Sequence, residues 1–218
     1  MYYHFLSGLL VTISVFSVSV CLGTAVGLVV AAGTSANSAY LRSTAQAYVA
    51  TIRGVPELLI ILLAFFGGTA AISAIAGRYI EVNAFASGVG ALTIVFAGYA
   101  AEIFRGALTS IPKGQGEAAL SLGLSRWQRW VFILLPQMIP LALPAYTNLC
   151  ISLIKDTALV SIVGLSDVMR VAFIGAGTMR APLPFYLAAA AIYLACTTVA
   201  LFGFRLLNYR YKLPERSK

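Results

Sequence analysis

The amino-acid sequence predicts an all-α integral membrane protein with five transmembrane helices. Of its 218 residues, 60% are hydrophobic and only 10% are charged, whereas ordinary globular domains carry about 25% charged residues. Four long apolar runs, and a fifth interrupted by prolines, are each long enough to cross a hydrocarbon core about 30 Å thick. This combination excludes an ordinary water-soluble domain.

The predicted spans divide the chain into one membrane domain over residues 1–218. The first span contains Gly23 and Gly27, whose small size lets neighbouring helices approach closely. Pro56 predicts the start of the second span, because proline fits the first turn of a helix. The spans are expected at about residues 9–32, 55–75, 85–104, 130–154 and 185–206.

The distribution of basic residues predicts the orientation. If the N-terminus lies outside, the cytoplasmic side holds most of the 15 Lys and Arg residues, as the positive-inside rule requires. The net charge of +8 is spread over span ends, so the basic residues suit anionic membrane lipid and not nucleic acid. The basic residues left outside are Arg78, Lys155, Arg170 and Arg180.

No motif for intrinsic enzymatic chemistry is found in the sequence. It contains no Gly-x-x-x-x-Gly-Lys-Ser/Thr phosphate loop, no metal-ligand spacing of His, Cys and carboxylates, and no nucleophile and base that can be paired. Cys21, Cys150 and Cys196 fall inside predicted spans, where a thiol behaves as a small hydrophobic group. We therefore expect no catalytic residue, no metal site and no cofactor in this chain.

A polar loop at about residues 109–129 separates the third and fourth predicted spans. Glu117 to Ala119 favour helix, Gly123 permits a turn, and Ser125 suits the N-cap of a second short helix. The orientation places this helix-turn-helix in the cytoplasm. The loop is therefore available to dock a partner.

The spacing in and after this loop resembles the EAA-type coupling loop of permease subunits in bacterial ABC importers. Glu-Ala-Ala is followed by three residues, Gly, nine residues and Ile-Leu-Leu-Pro, over residues 117–136. Residues 52–58, 98–106, 111–115 and 155–161 resemble the polar amino-acid branch of that family, with the histidine and octopine/nopaline-type permeases most alike. The resemblance covers nearly the whole chain and implies a periplasmic N-terminus, a cytoplasmic C-terminus and a bacterial inner-membrane location.

The resemblance implies a permease subunit that imports a polar, basic amino acid or opine. The implied partners are an identical or homologous second permease subunit, two cytoplasmic ATPases that bind ATP and Mg²⁺, and a periplasmic amino-acid-binding protein. Closure of the ATPases on the loop is expected to alternate access to the pathway. The expected ATPase-coupling residues are Glu117, Ala118, Ala119 and Gly123.

A carboxylate in the fourth span predicts part of the solute pathway. An unpaired carboxylate at a helix centre costs about 2.5–3.5 kcal/mol on insertion, so Asp156 should face protein or water, near the outer half of that span. Lys155, Thr157 and Glu57 complete the candidate pathway. The alternative is that Lys155 and Asp156 only mark the membrane boundary and that Glu57 is a structural anchor.

The backbone after Asp156 and the two prolines before it are expected to border the same pathway. Residues 157–166 are apolar but too short to span, so they are predicted to be re-entrant or interfacial. Pro140 and Pro144 lie four residues apart and leave backbone groups unpaired. Those groups are expected to line the same wall as Asp156.

Two charge pairs are predicted near the cytoplasmic ends of spans. Glu102 and Arg105 are three residues apart, so they share a helix face and are expected to form a structural pair that positions the loop. Arg53 and Glu57 are four residues apart and pair only if helix continues through Pro56.

A secondary transporter or channel and a membrane scaffold are the two alternative functions. A self-sufficient secondary transporter or channel would use broken helices and intramembrane charges, which the prolines and Asp156 fit, but it would not need a coupling loop. Uptake that persists without ATP would favour it. A non-transporting membrane scaffold predicts that the purified assembly moves no solute.

Overall fold

The computed structural model describes residues 2–211, and all regular elements in that range are helical. Lys212, Arg216 and Lys218, which belong to the basic residues expected on the cytoplasmic side, lie outside the described residues. The α-helices are α1 Tyr2–Thr34, α2 Ala39–Gly54, α3 Glu57–Leu62, α4 Gly68–Ala76, α5 Ala84–Thr109, α6 Lys113–Ser121, α7 Arg126–Gln128, α8 Leu135–Asp156, α9 Val168–Met179 and α10 Pro182–Arg210. Leu63–Gly67 and Arg129–Leu134 are π-helical, and Thr157–Val163 is a 3₁₀ helix.

Five of the described helical segments are long and apolar enough to cross a membrane. Some combine several elements: α3, the first π-helical stretch and α4 form one segment, and α7, α8 and the stretches on either side of α8 form another. The prediction of an all-α protein with five apolar spans is confirmed. The segments are Tyr3–Thr34, Glu57–Ala76, Ala84–Thr109, Arg126–Val163 and Pro182–Arg210.

Helix α5 is the centre of the bundle, because two thirds of its apolar window are buried. Helix α1 packs along it through two glycines. A Cβ added at Gly23 would lie 2.7 Å from Phe96, and one added at Gly27 would lie 2.9 Å from Ala100. The absence of side chains at these positions therefore brings the two helices together, as expected from the small residues in the first span.

Helix α8 packs on α5 through aromatic contacts. The Tyr146 ring lies 5.8 Å, between centroids, from both Phe96 and Phe104 of α5, edge-on to the first and stacked on the second. Its hydroxyl forms a hydrogen bond with Thr24 of α1. One side chain thus joins α1, α5 and α8.

The chain after α8 remains packed inside the protein. In the 3₁₀ helix Thr157–Val163, Val160 is fully buried and occupies the space that a side chain at Gly88 of α5 would need. Helix α9 follows and packs against α10 and α1. The segment predicted to be re-entrant or interfacial is therefore a short helix seated on the central helix.

Candidate functional site

The polar loop ends its first helix with a glycine turn. Gly123 has a φ of +77°, which favours glycine because a side chain is strained in that region. Its N–H donates to the Leu120 carbonyl at 3.0 Å, and the Leu124 N–H donates to the Ala119 carbonyl at 3.1 Å. This is the Schellman pattern of helix termination. A Cβ at Gly123 would meet nothing within 4 Å, so the requirement is conformational and not one of space.

The second short helix begins with a reciprocal cap. The Ser125 hydroxyl accepts from the Gln128 N–H at 3.3 Å, and the Gln128 side-chain oxygen accepts from the Ser125 N–H at 2.9 Å. Two N–H groups at the start of the helix are satisfied in this way. The N-cap predicted at Ser125 is confirmed.

The loop presents part of the predicted coupling set to the outside. Glu117 and Ala118 are exposed, and Leu122 beside them is 81% exposed. Ala119 is instead only 3% exposed, so the structure does not bring it to the same surface. Trp127, which the sequence-based coupling set omits, is also exposed. The loop therefore exposes both polar and apolar side chains.

A charged network lies close to this loop at the end of α5. The Arg105 Nε donates to Glu102 Oε2 at 3.0 Å, and its Nη2 bonds the other carboxylate oxygen. Arg53 of α2 lies 3.6 Å from the same carboxylate. Arg53 therefore pairs with Glu102 and not with Glu57, because α2 ends at Gly54 and a new helix starts after Pro56. The structure brings Glu102 and Arg105 together as expected.

Glu57 and Asp156 meet at a cavity of about 280 Å³ that we call the acidic cavity. Glu57 starts α3 and Asp156 ends α8, and both residues line this cavity. Tyr99 and Ser152 add polar groups. No Lys or Arg of the described chain lines the cavity. The other lining residues are Val95, Phe96, Leu149 and Leu153.

The acidic cavity lies level with the middle of α5. Val95 and Tyr99, which line it, come from the central part of that helix. The sequence analysis places Asp156 near the outer half of the fourth span, and this placement stays a prediction. The 3₁₀ helix after Asp156 continues along α5 as far as Gly88, so Asp156 is not at the end of the apolar segment.

Two predicted pathway residues do not line the acidic cavity. Lys155 is exposed and forms no ion pair with Asp156 in the described structure. Thr157 is 1% exposed, and its hydroxyl donates to the Ile154 carbonyl at 2.6 Å. Sequence reasoning missed Tyr99 and Ser152. Ser152 lies four residues before Asp156 on one helix, and that spacing puts the two on one face.

Pro140 and Pro144 also lie outside the acidic cavity, contrary to the expectation that they line its wall. They border a separate cavity of about 440 Å³ beside Arg205, Asn208 and Tyr209 of α10. Helix α8 therefore lines two separate cavities at different positions along its length.

A third polar cluster surrounds Asp167, which is 1% exposed. Its Oδ1 accepts from the Arg170 N–H at 2.9 Å and caps α9, and its Oδ2 accepts from the Tyr193 hydroxyl at 3.3 Å. Burial raises the pKa of the Asp167 carboxyl above its ordinary value, while these donors oppose the rise. The sequence analysis missed this cluster; an Asp immediately before an apolar run is the available signal.

No group of three or more His, Cys, Asp and Glu side chains in residues 2–211 could hold a metal ion. The acidic cavity contributes only two carboxylates.

The family described as "Binding-protein-dependent transport system inner membrane component" matches residues 23–213. The chain is 42% identical over 169 residues to the arginine ABC transporter permease protein ArtQ of Haemophilus influenzae, covering 78% of this chain and 76% of that protein. It is 38% identical over 203 residues to the nopaline transport system permease protein NocQ of Agrobacterium fabrum, covering 90% and 86%.

The fold is also similar to that of a solved structure. The crystal structure of an amino acid ABC transporter with histidines superposes with a TM-score of 0.84 at 32% identity, covering 96% of this chain and 94% of the compared chain. The similarity in fold therefore extends over nearly the whole chain.

Proposed function

This chain belongs to the family of binding-protein-dependent transport system inner membrane components, and from that premise we propose that it carries a basic amino acid or opine through the acidic cavity. It is a multi-pass inner-membrane permease of the amino-acid ABC importer type. The supporting observation is the meeting of Glu57 and Asp156 at a cavity that no Lys or Arg of residues 2–211 lines.

The charge of this cavity supports a cationic solute. Two carboxylates close together repel one another, and a positively charged group placed between them offsets that repulsion. Tyr99 and Ser152 supply hydroxyl groups at the same cavity, which suit the polar backbone groups of an amino acid. The relatives named for arginine and nopaline support the same class of solute. Lys155 and Thr157 then have supporting roles beside the pathway.

The loop supports coupling to an ATPase. We assign Glu117, Ala118 and the exposed Leu122 to the docking face, Gly123 to the turn that shapes it, and Ala119 to the contact that holds α6 on its own chain. Glu102 and Arg105, with Arg53, link this end of α5 to α2 and position the loop. Closure of two ATPases would move the docking face and alternate access to the cavity as a rigid-body change.

The proposed assembly contains a second permease subunit, two cytoplasmic ATPases that hold ATP and Mg²⁺, and a periplasmic amino-acid-binding protein. This chain would form a single transmembrane domain over residues 1–218, with the N-terminus in the periplasm and the C-terminus in the cytoplasm. The chain itself would contribute no ATPase site. Anionic lipid would surround its basic span ends.

The test is uptake by the purified assembly in proteoliposomes with its binding protein. We expect ATP-dependent uptake of arginine or histidine, and little uptake of an uncharged amino acid from the same panel. Omission of ATP or of the binding protein should abolish it. Uptake that continues without ATP would support a secondary transporter, and equal uptake of neutral and basic solutes would reject the proposed solute class.

A further inference from the structure

Three separate parts of the chain meet at Asp167. Its buried carboxylate caps α9 through the Arg170 N–H and accepts from Tyr193 of α10. The next residue, Val168, donates its N–H to Thr12 Oγ1 of α1 at 3.4 Å. Because Asp167 and Thr12 are almost fully buried, each of these bonds replaces one that water would otherwise supply.

Helix α1 approaches this point so closely that its backbone touches the start of α9. A Cβ added at Gly8 would lie 3.0 Å from the carbonyl carbon and oxygen of Asp167 and 3.0 Å from the Val168 nitrogen. Those atoms belong to the backbone and cannot rotate away as a side chain does. Any residue larger than glycine at this position must therefore push α1 and α9 apart.

The same cluster reaches the segment that leads away from the acidic cavity. The Tyr193 hydroxyl donates to Asp167 and also lies near the hydroxyl groups of Thr157 and Thr12. Thr157 is the residue directly after Asp156, and Val160 fixes the middle of the segment by its contact with Gly88. One tyrosine thus lies beside both ends of residues 157–167 and bonds the second end, while the Val160 contact holds the middle of the segment on α5.

We propose that Thr12, Asp167 and Tyr193 form a clamp that positions Asp156 in the acidic cavity. This inference rests on the proposed function, because it takes Asp156 to be a pathway residue. None of the three lines the acidic cavity, so they act on the solute through the 157–167 segment. A buried polar network of this kind rigidifies the protein when each member has a partner, and loses that effect when one member is removed.

The first test measures the clamp without reference to transport. Hydrogen exchange of residues 157–167 is measured in the assembled complex for two variants of Thr12. Thr12→Val keeps the shape of the side chain but loses the hydroxyl that accepts from the Val168 N–H, whereas Thr12→Ser keeps that hydroxyl. Gly8→Ala is compared with Gly203→Ala, where an added Cβ meets nothing within 4 Å. We expect roughly tenfold faster exchange in Thr12→Val and Gly8→Ala, and parent-like exchange in the other two. Equal exchange in all four variants would overturn the clamp.

The second test asks whether the clamp acts through Asp156. Arginine uptake is measured for Tyr193→Phe, Asp156→Asn and the double variant, with basal ATPase activity and assembly yield as controls. We expect Tyr193→Phe to lower uptake roughly fivefold, the effect of losing about one buried hydrogen bond, and to have little further effect when Asp156 is already Asn. Additive losses, or uptake by Tyr193→Phe within about twofold of the parent, would reject the positioning role.

The two tests separate the clamp from the function on which it rests. Parent-like uptake by Asp156→Asn alone would reject Asp156 as a pathway residue and remove the transport role of the clamp. The exchange measurement would still show whether the clamp orders residues 157–167. If Tyr193→Phe does not assemble, Thr12→Val takes its place in the double-variant comparison, with Thr12→Ser as its control.

Discussion

The polar loop and the acidic cavity are built in opposite ways. The loop is local: Gly123 and Ser125 form their turn and cap with residues no more than a few positions away. The acidic cavity is assembled from α3, α5 and α8, and Glu57 and Asp156 meet only after these helices have packed. The comparison predicts that loop variants change coupling and leave solute preference intact, while cavity variants change solute preference and leave coupling intact.

The largest effect on the loop side is expected from Gly123→Asp. A side chain at a φ of +77° costs about 1–2 kcal/mol in the left-handed region, and relief of that strain distorts the docking face. Uptake should fall roughly tenfold or more while the complex still inserts and hydrolyses ATP. The measurement is the ratio of solute imported to ATP hydrolysed.

Gly114→Asp is the matched control for this substitution. Gly114 lies in α6 of the same loop, has no positive φ, and has nothing within 4 Å of an added Cβ. The ratio of solute imported to ATP hydrolysed by Gly114→Asp should remain close to that of the parent. Normal transport by Gly123→Asp would show that the turn is not needed for coupling.

A smaller effect is expected from the charged network between α2 and α5. The single variant Glu102→Gln removes the carboxylate that pairs with both Arg53 and Arg105, so two positive charges remain without it. The double variant, Glu102→Gln with Arg105→Gln, also removes one of those positive charges. Partly exposed ion pairs contribute about 0.2–1 kcal/mol each, so the single variant should lower Tm more than the double variant does. Thermal unfolding in detergent measures this difference. Additive losses from Glu102→Gln and Arg105→Gln would indicate independent roles.

The smallest effect is expected from Ser125→Ala. Loss of an N-cap costs about 1 kcal/mol, and here it affects a three-residue helix that leads into a π-helical stretch. Coupling should weaken by less than it does in Gly123→Asp, and the preference for basic over neutral solutes should not change. Ser125→Asp, which keeps the cap acceptor, should restore the parent ratio. A shift in solute preference in Ser125→Ala would break the distinction between loop and cavity.

The sequence predicted features that depend on local rules. The five apolar segments follow from composition and length, and the Ser125 cap follows from residue type. The partner of Arg53 was not predictable, because the helix is interrupted at Pro56 and Arg53 pairs with Glu102, which is far from it in the chain. Ala119 was assigned to the docking face because spacing does not show which side of α6 packs on the chain.

The position of Asp156 depended most on tertiary structure. Hydropathy ends the fourth span close to this residue, but the 3₁₀ helix that follows continues the apolar segment and packs on α5 at Gly88. Asp156 therefore lies beside the middle of the central helix and opposite Glu57. The clamp at Asp167 was missed for the same reason, since Thr12 and Tyr193 are far from Asp167 in the chain.

The most direct test of the acidic cavity is the ratio of arginine to neutral amino-acid uptake in Asp156→Asn. Glu81→Gln is the matched control, because Glu81 is an exposed carboxylate that does not line the cavity. Interactions of a charged group are worth about 1.5–3 kcal/mol, so we expect this ratio to fall roughly tenfold or more in Asp156→Asn, with parent-like ATPase coupling, and to stay unchanged in Glu81→Gln. An unchanged uptake rate and an unchanged ratio in a correctly assembled Asp156→Asn complex would contradict the assignment of the acidic cavity to the solute pathway.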